Sequence, residues 1–212
     1  MVNILPDRPR PLCEIETSLA DGRPVCLRTI RPSDEALIRD GISEMSDRSR
    51  YLRFFSAFRQ PPESVVKQLS AVDGHDHIGW GAILLDGDEF PPIAAAHAIR
   101  LDCESKQESK MAELSIAVLD EYQGQGLARK LVAAVLVDCA AEGISCAQIQ
   151  LLGENRPAAR LVRALGAKRT AALGSVEHYR LNVAETLANM ALPGGDAGTA
   201  AILTAAGWDA AG

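Results

Sequence analysis

The sequence predicts an α/β fold in which helices flank a mixed central sheet. Short apolar runs typical of strands alternate along the chain with longer segments whose apolar residues recur every three to four positions, as on one face of a helix. The chain has 212 residues, of which 47% are apolar and 24% are charged. This balance indicates one globular domain with a core of its own, and it excludes fibrous repeats and wholesale disorder.

The first half of the chain predicts one strand, three helices and two further strands. Residues 1–22, which are rich in proline and lack periodicity, are predicted to be an extended arm. Ser33 is a suitable N-cap for the first helix, with Asp34 in the first turn, where the helix dipole favours a carboxylate. Pro61 and Pro62 end the second helix. The predicted elements are a strand at 23–30, helices from 33, at 48–58 and at 63–72, and strands at 78–85 and 93–101.

The second half predicts a polar loop at 102–110 followed by alternating strands and helices, and the domain extends over residues 23–183. The predicted elements are strands at 111–119, 146–152, 167–172 and 176–181, and helices at 126–141 and 157–165. From Leu192 to Gly212, alanine and glycine fill 12 of 21 positions. Residues 184–212 are therefore predicted to be a loosely held tail, although a short helix docked on the domain or on a second subunit stays open.

Composition also excludes several classes of partner. The net charge is −6, the pI is about 5.3 and aromatic residues are only 4%, so nucleic acid is not expected to bind. Five cysteines without C-x-x-C spacing favour reduced thiols in a cytoplasmic protein. No signal peptide and no apolar run long enough to span a membrane are found, so no membrane partner is expected. His75, Asp76 and His77 make an incomplete ligand set, and no metal is expected.

A glycine-rich segment between a predicted strand and a predicted helix carries the clearest chemical signal. Its residues are Gln123, Gly124, Gln125, Gly126, Leu127 and Ala128. Glycines let the backbone turn tightly, and the N–H groups at the start of a helix favour a phosphate. The segment has neither the spacing of a Walker loop nor that of a dinucleotide-binding loop. On these residues alone, a phosphate site and a plain turn are equally good interpretations.

The context of this segment resembles a known family. The pattern Q-x-x-G-x-A after a strand resembles the pyrophosphate-binding loop of the GCN5-related N-acetyltransferases (GNAT), and Asn155 with Ala158 follows in the same order as in that family. The resemblance covers about residues 23–182. It implies a GNAT fold with a splayed pair of strands in the central sheet. It also implies that acetyl-CoA is the co-substrate and that the acetyl group passes directly to an amine in a ternary complex.

The same resemblance implies where acetyl-CoA would bind. The pantetheine arm would pair with the backbone of Ser115, Ile116, Ala117 and Val118, and Asn155 would contact the same arm. The pyrophosphate would lie on the turn from Gln123 to Gly126 and on the N–H groups of Gln125–Arg129, with Ala128 small because the cofactor passes close. Arg160, on a predicted helix face with Arg156 and Arg163, could meet the 3′-phosphate together with Arg129 and Lys130. An exposed basic face is an equally good interpretation of these arginines.

Glu113 is the general base that the resemblance implies, because related lysine acetyltransferases carry a base at this place. It alternates with Leu114, Ile116 and Val118 and so lies on the face of the strand opposite to the apolar set. An amine with a pKa of about 10.4 is almost entirely ammonium at pH 7, and a nearby carboxylate can remove its proton directly or through water. A solvent-facing carboxylate is the alternative. Many family members carry a tyrosine as general acid where this chain has Val162, so the resemblance assigns no acid, and water is the alternative proton donor.

The acceptor is suggested by the segment from Asp47 to Phe55, DRSRYLRFF, together with the preceding LRTIRPSDEALI. This region looks like the catalytic domain of bacterial Pat-type protein lysine acetyltransferases, which acetylate a lysine of acyl-CoA synthetases. A protein lysine is therefore the favoured acceptor. A small-molecule amine and a non-catalytic acyl-CoA-binding module remain as alternatives, and the sequence does not distinguish a monomer from a homodimer.

Overall fold

Eight strands form one sheet in the computed structural model, which describes residues 13–56, 58–101, 110–192, 197–205 and 208. The strands are β1 (Ile15–Ser18), β2 (Pro24–Thr29), β3 (His77–Leu84), β4 (Pro92–Arg100), β5 (Met111–Val118), β6 (Cys146–Leu152), β7 (Lys168–Leu173) and β8 (Val176–Asn182). The helices are α1 (Glu35–Glu44), α2 (Asp47–Phe54), α3 (Glu63–Ser70), α4 (Leu127–Ala141), α5 (Arg156–Ala164), α6 (Val183–Ala191) and α7 (Ala197–Ala205). The predicted α/β class with a mixed sheet is confirmed.

The sheet order is β1-β2-β3-β4-β5-β6-β8-β7, and every neighbouring pair is antiparallel except β5 and β6, which are parallel. Helix α4 packs on β3, β4 and β5. Its Leu131, Val135 and Leu136 are fully buried in the main core, together with Leu114 of β5. Helices α1 and α2 contact β4 and β5. Ala117 points to the opposite face of β5 from Leu114, because their positions differ by an odd number. It lies against residues of α1 and α2.

Both ends of the chain are more structured than the sequence predicted. Residues 15–18 were assigned to an arm but form β1, in which Ile15 pairs with Leu27 of β2. The alternative of a docked helix is what the described residues show, because α6 and α7 both pack on α4, and the expectation of a loose tail is wrong for them. Ile202 and Leu203 of α7 are only 1% and 2% exposed. Burying these bulky side chains stabilises a helix that the alanine- and glycine-rich composition concealed. Residues 1–12 lie outside the described residues.

The start of α1 and the end of α2 also differ from the prediction. Ser33 is not a cap: it lies inside a short 3₁₀ turn, and Asp34 accepts a hydrogen bond from the N–H of Arg31 (2.8 Å). Asp34 is the N-cap residue of α1, but its side chain makes no capping hydrogen bond to α1 and is buried in an ion pair with Arg28. Helix α2 ends at Phe54, before its predicted end, because Phe55 takes a left-handed conformation with φ 54°.

The described residues include neither a helix that could span a membrane nor a cluster of side chains that could hold a metal. No helix among them is long and apolar enough to cross a membrane. No group of three or more His, Cys, Asp or Glu side chains among them is placed to hold a metal ion. Cys13, Cys26, Cys139 and Cys146 are free thiols. Cys103 and most of the predicted loop at 102–110 lie outside the described residues.

Candidate active site

A groove opens where β5 and β6 part. Their parallel register covers three residue pairs and ends at Glu113 and Gln148. Beyond these residues β5 continues to Val118 and pairs only with β4, while β6 continues to Leu152 and pairs only with β8. The strands therefore diverge after Glu113, which is the splayed pair that the sequence resemblance implied.

Ile116 contributes the backbone groups at the centre of this groove. Hydrogen bonds from Leu119 N–H to Ile93 O and from Leu101 N–H to Met111 O, both 2.9 Å, set the phase of the ladder between β4 and β5. Odd-numbered residues of β5 consequently bond to β4, and even-numbered residues direct their N–H and C=O toward the side of β6. The polar groups of Ile116 therefore face the groove with no described strand beside them, and they suit the amides of an extended ligand.

A glycine-rich turn closes the end of the groove at the start of α4. Gly124 and Gly126 have φ values of 74° and 79°, in the left-handed region that favours glycine. Gly126 is the N-cap residue and has no side chain, so the first N–H groups of α4 receive no side-chain cap. The side-chain nitrogen of Gln123 donates to Val118 O and to Asp120 Oδ1, both at 3.1 Å, and holds the turn on β5. Uncapped N–H groups at the positive end of a helix dipole make a suitable anion site.

The groove collects 13 of the 14 residues that the sequence predicted for the site. They are Glu113, Ser115, Ile116, Ala117, Val118, Gln123, Gly124, Gly126, Leu127, Ala128, Arg129, Asn155 and Arg160. Gln125 is the exception: it does not line the groove, and its carbonyl accepts a hydrogen bond from the N–H of Ala20 (3.3 Å). Gln125 thus ties the turn to the N-terminal strands. That the other residues contact a cofactor stays a prediction.

Glu113 lies at the point where the strands part, exposed and on the opposite face from the buried Leu114. Arg53 of α2 lies on the same face and donates a hydrogen bond to Ser115 Oγ (2.7 Å). Burial lowers the pKa of Arg53 to about 10, and the nearby carboxylate of Glu113 opposes this shift. Arg53 is therefore still a cation at neutral pH. A carboxylate and a guanidinium thus meet on this wall of the groove.

The opposite wall comes from the start and middle of α5. Asn155 is the N-cap residue of α5, and its Oδ1 accepts a hydrogen bond from Ala158 N–H (3.2 Å), while its amide nitrogen remains a donor for a ligand. Val162 lines the groove with a hydrocarbon surface, where many family members have a tyrosine hydroxyl. Tyr122 also lines the groove, but burial raises its pKa.

The basic residues near the groove do not act as one surface. Arg129 and Arg160 line the groove, and Nε of Arg129 is buried without a hydrogen-bond partner. Arg163 donates instead to Tyr179 Oη (2.7 Å). Lys130, which the sequence grouped with the phosphate-facing cations, is buried and donates to Ser18 O (2.5 Å), so it cannot reach a ligand in the groove.

Helix α2 forms a further wall; the sequence resemblance linked this segment to the acceptor but named none of its residues as site residues. Asp120 Oδ1 accepts a hydrogen bond from Ser49 Oγ (2.6 Å) and Asp120 Oδ2 accepts one from Ser46 N–H (3.2 Å). Burial opposes ionisation of Asp120, but these hydrogen bonds dominate and lower its pKa. Arg48 lies 3.6 Å from Glu154 of the wall opposite. Helix α2 is thereby fastened along the groove. The arginine-rich segment from Asp47 indicated a functional helix, but the neighbouring sequence did not show which strand that helix contacts.

Comparison with known proteins agrees with this architecture. Residues 35–167 match the family described as "Acetyltransferase (GNAT) family". Acetyltransferase Pat of Mycolicibacterium smegmatis is 29% identical over 153 residues, which are 72% of this chain and 44% of that protein. Acetyltransferase PA5475 of Pseudomonas aeruginosa is 28% identical over 110 residues, 52% of this chain and 56% of that protein. The chain thus spans about half the length of these relatives.

Solved structures share the fold. The GNAT domain of S. lividans PAT has a TM-score of 0.72 at 21% identity and covers 79% of this chain and 96% of that one. A cAMP-binding acyltransferase from Mycobacterium smegmatis has a TM-score of 0.53 at 21% identity, over 91% of this chain and 55% of that one.

Splayed strands and a glycine-rich turn at a helix N-terminus define the fold class of N-acetyltransferases that use acetyl-CoA. The chain belongs to the acetyltransferase (GNAT) family, because the family match covers more than half of its residues. The family resemblance noted from the turn at 123–128 and from Asn155 is confirmed.

Proposed function

We propose that this chain transfers the acetyl group of acetyl-CoA to an amine by direct transfer in a ternary complex. One observation carries the proposal: the groove between β5 and β6 has Glu113 where the strands part and the uncapped N-terminus of α4 at its other end. Val118 lies five positions beyond Glu113 on β5, so this strand wall of the groove is about 17 Å long at 3.3 Å per residue. Membership of the GNAT family, whose members use acetyl-CoA and an amine acceptor, supports the assignment.

Acetyl-CoA binds along the groove in this proposal. Its pyrophosphate lies on the N–H groups at the start of α4, and its pantetheine arm pairs with the backbone of Ile116 and with the amide nitrogen of Asn155. Arg129 and Arg160 supply positive charge for the phosphates. The buried and unpartnered Nε of Arg129 supports this role, because such a donor is costly unless a ligand accepts from it.

Glu113 acts as the general base. At pH 7 an amine with a pKa of about 10.4 is neutral in only about one molecule in 2,500. The carboxylate of Glu113 removes the ammonium proton, the nitrogen lone pair forms the N–C bond to the thioester carbon, and the C–S bond then breaks. The attacking nitrogen loses its second proton to water as the amide forms. The departing CoA thiolate takes a proton from water, since Val162 offers none; the CoA thiol has a pKa of about 8.5 by analogy with cysteine. Arg53, beside Ser115, stabilises the negative charge that develops on the thioester oxygen.

A protein lysine is the favoured acceptor. The segment from Asp47 to Phe55, which resembles Pat-type protein lysine acetyltransferases, forms α2 and its C-cap residue and carries Tyr51 and Phe55. These aromatic side chains are 39% and 43% exposed, and Phe55 lines the groove, so an acceptor protein has an apolar surface to contact beside the thioester. A small-molecule amine is the second candidate, because the groove is also open to a small acceptor.

The proposal is tested by acetyl transfer from isotopically labelled acetyl-CoA. Purified acetyl-CoA synthetase and a panel of small amines serve as separate acceptors, and mass spectrometry locates the label. Glu113→Gln should lower turnover at pH 7 by about 10²- to 10⁴-fold, as expected for a lost general base. Its residual rate should rise about 100-fold between pH 7 and pH 9, as the neutral amine becomes more abundant.

Glu154→Gln is the matched control, because it removes the same charge from the wall of the same groove. It should retain most of the activity. One labelled lysine that is lost in Glu113→Gln supports the proposal, whereas label on small amines alone moves the acceptor to the metabolite class. Full turnover by Glu113→Gln across pH 7–9 refutes the base assignment. Tight acetyl-CoA binding without transfer to any acceptor favours a non-catalytic binding module.

A further inference from the structure

A second cavity lies on the same face of the sheet as Glu113. Helices α1 and α3 and the end of α2 enclose it against β2, β3, β4 and β5. Its volume is about 90 Å³, and its walls are almost entirely hydrocarbon, including Leu37, Ile38, Ile42, Phe54, Leu69 and Ile93. Met45, Arg53 and Ala117 line both this cavity and the groove. The cavity therefore opens beside the strand segment on which the proposed function places the thioester.

The charged residues of the cavity do not favour a cationic guest. Its carboxylate, Asp34, is held by two hydrogen bonds from Arg28 (2.7 and 2.8 Å) and by the N–H of Arg31 (2.8 Å). Asp34 is thus fully engaged and cannot receive an ammonium group. Arg53 adds a positive charge where the cavity meets the groove. Glu113 lines the groove but not the cavity, so an amine inside the cavity would meet this charge without a counter-ion.

His97, which also lines the cavity, is uncharged. A carbonyl can only accept, so the contact of 3.1 Å between His77 Nδ1 and Ala71 O makes Nδ1 the donor. His77 Nε2 then accepts from His97 Nδ1 at 3.0 Å. Burial lowers the pKa of His97 well below its usual value, with Arg53 and His77 adding to the shift. Both imidazoles are therefore neutral, and the cavity suits an uncharged, apolar group.

We infer that this cavity receives the carbon chain of an acyl group longer than acetyl. The inference rests on the proposed function, because that function places the thioester beside Ser115 and Arg53, and Arg53 also lines the cavity. A cavity of about 150 Å³ lined by aliphatic and aromatic side chains holds the six carbons of benzene, so about 90 Å³ takes roughly three to four carbons. Together with the carbonyl carbon, the preferred acyl group has four or five carbons, as in butyryl-CoA and pentanoyl-CoA.

Burial of each added methylene should tighten binding by about fourfold. Butyryl-CoA, with two more methylenes than acetyl-CoA, should bind about 15-fold more tightly. The gain should end after five carbons, so octanoyl-CoA should bind more weakly than pentanoyl-CoA. Isothermal titration calorimetry of the full chain with CoA, acetyl-CoA, butyryl-CoA, pentanoyl-CoA and octanoyl-CoA measures this order without an acceptor.

Two glycine substitutions that reduce the cavity test its location. Gly41 of α1 and Gly81 of β3 line the cavity, and neither has a positive φ. A Cβ at Gly41 would lie 3.7 Å from Pro92 Cγ, and a Cβ at Gly81 would lie 3.5 Å from Ile30 Cγ1, both ordinary contact distances. Gly41→Ala and Gly81→Ala should each weaken pentanoyl-CoA binding by about fourfold and leave acetyl-CoA binding unchanged. Ser43→Ala, on an exposed position of α1, is the matched control.

The outcomes separate this inference from the proposed function. Tighter binding of butyryl-CoA than of acetyl-CoA, reduced by Gly41→Ala and Gly81→Ala but not by Ser43→Ala, supports the inference. Acetyl-CoA binding as tightly as butyryl-CoA or more tightly overturns the inference and leaves the proposed function intact. Chain-length preference that both glycine variants retain overturns the assignment to this cavity. Failure of CoA and every acyl-CoA to bind refutes the proposed function itself.

Discussion

The ion pair between Arg28 and Asp34 anchors the start of α1 on the sheet, and its removal is expected to be severely destabilising. The two residues are 8% and 9% exposed, and two hydrogen bonds of 2.7 and 2.8 Å join their side chains. Asp34→Asn is nearly isosteric, so it creates no cavity and removes only the negative charge. Arg28 would keep a hydrogen bond to Thr29 O (2.8 Å) but would remain a buried cation without a counter-charge.

The expected loss is about 3 kcal/mol in the free energy of unfolding, the lower end of the range for breaking a buried pair by removing one partner. That is a large share of the roughly 5–15 kcal/mol that stabilises a domain. Urea unfolding at pH 7, followed by circular dichroism, measures the loss as a lower midpoint with an unchanged slope.

Asp21→Asn is the matched control. Asp21 and Arg23 form the same type of ion pair at 2.9 Å, but their side chains are 37% and 31% exposed. Solvent replaces the lost contact there, so little change is expected. Equal destabilisation by Asp34→Asn and Asp21→Asn would refute the reasoning, because burial is the difference between the two pairs.

Two further predictions concern the cofactor turn and the buried histidines. Gly126→Ala should weaken acetyl-CoA binding by about 5- to 30-fold, since a left-handed alanine costs about 1–2 kcal/mol. Gly143, at the far end of α4, has a similar φ of 72°, and Gly143→Ala should leave acetyl-CoA binding unchanged. Equal dissociation constants of the two variants for acetyl-CoA, measured by calorimetry, would contradict this prediction. Because burial holds the folded pKa of His97 well below 6.5, proton uptake favours the unfolded chain, and the free energy of unfolding should fall as the pH is lowered from 6.5 to 5. Urea unfolding of His97→Gln should show a smaller decrease of the free energy of unfolding over this pH range. A wild-type free energy of unfolding that does not change with pH would refute the prediction.

Local pattern predicted much of the site. The glycine-rich turn, the helix after it and the opening of α5 by Asn155 each depend on residues within a few positions, and all three appear in the structure. The exposed face of Glu113 follows from strand alternation alone. Each feature is set by backbone geometry over one turn or a few strand residues.

Contacts between distant segments could not be predicted in this way. Arg53 and Ser115 are 62 positions apart, and their hydrogen bond depends on how α2 packs across β5. The helix α7 was hidden for a related reason, since its alanine- and glycine-rich composition predicts little order until Ile202 and Leu203 meet α4. The position of Lys130 next to the turn suggested a phosphate contact, whereas packing directs it to Ser18.

The sequence by itself determined the family, the strand–turn–helix that suits a phosphate, and the carboxylate on the exposed face of β5. Tertiary structure alone decided where β5 and β6 separate, which is after three residue pairs. It also decided that Arg53 lies on the face of Glu113 and that an apolar cavity opens beside Ala117. The physical reason is range. Hydrogen-bonding and side-chain periodicity act between near neighbours, whereas a groove or a cavity is the space left when elements far apart in the chain pack together.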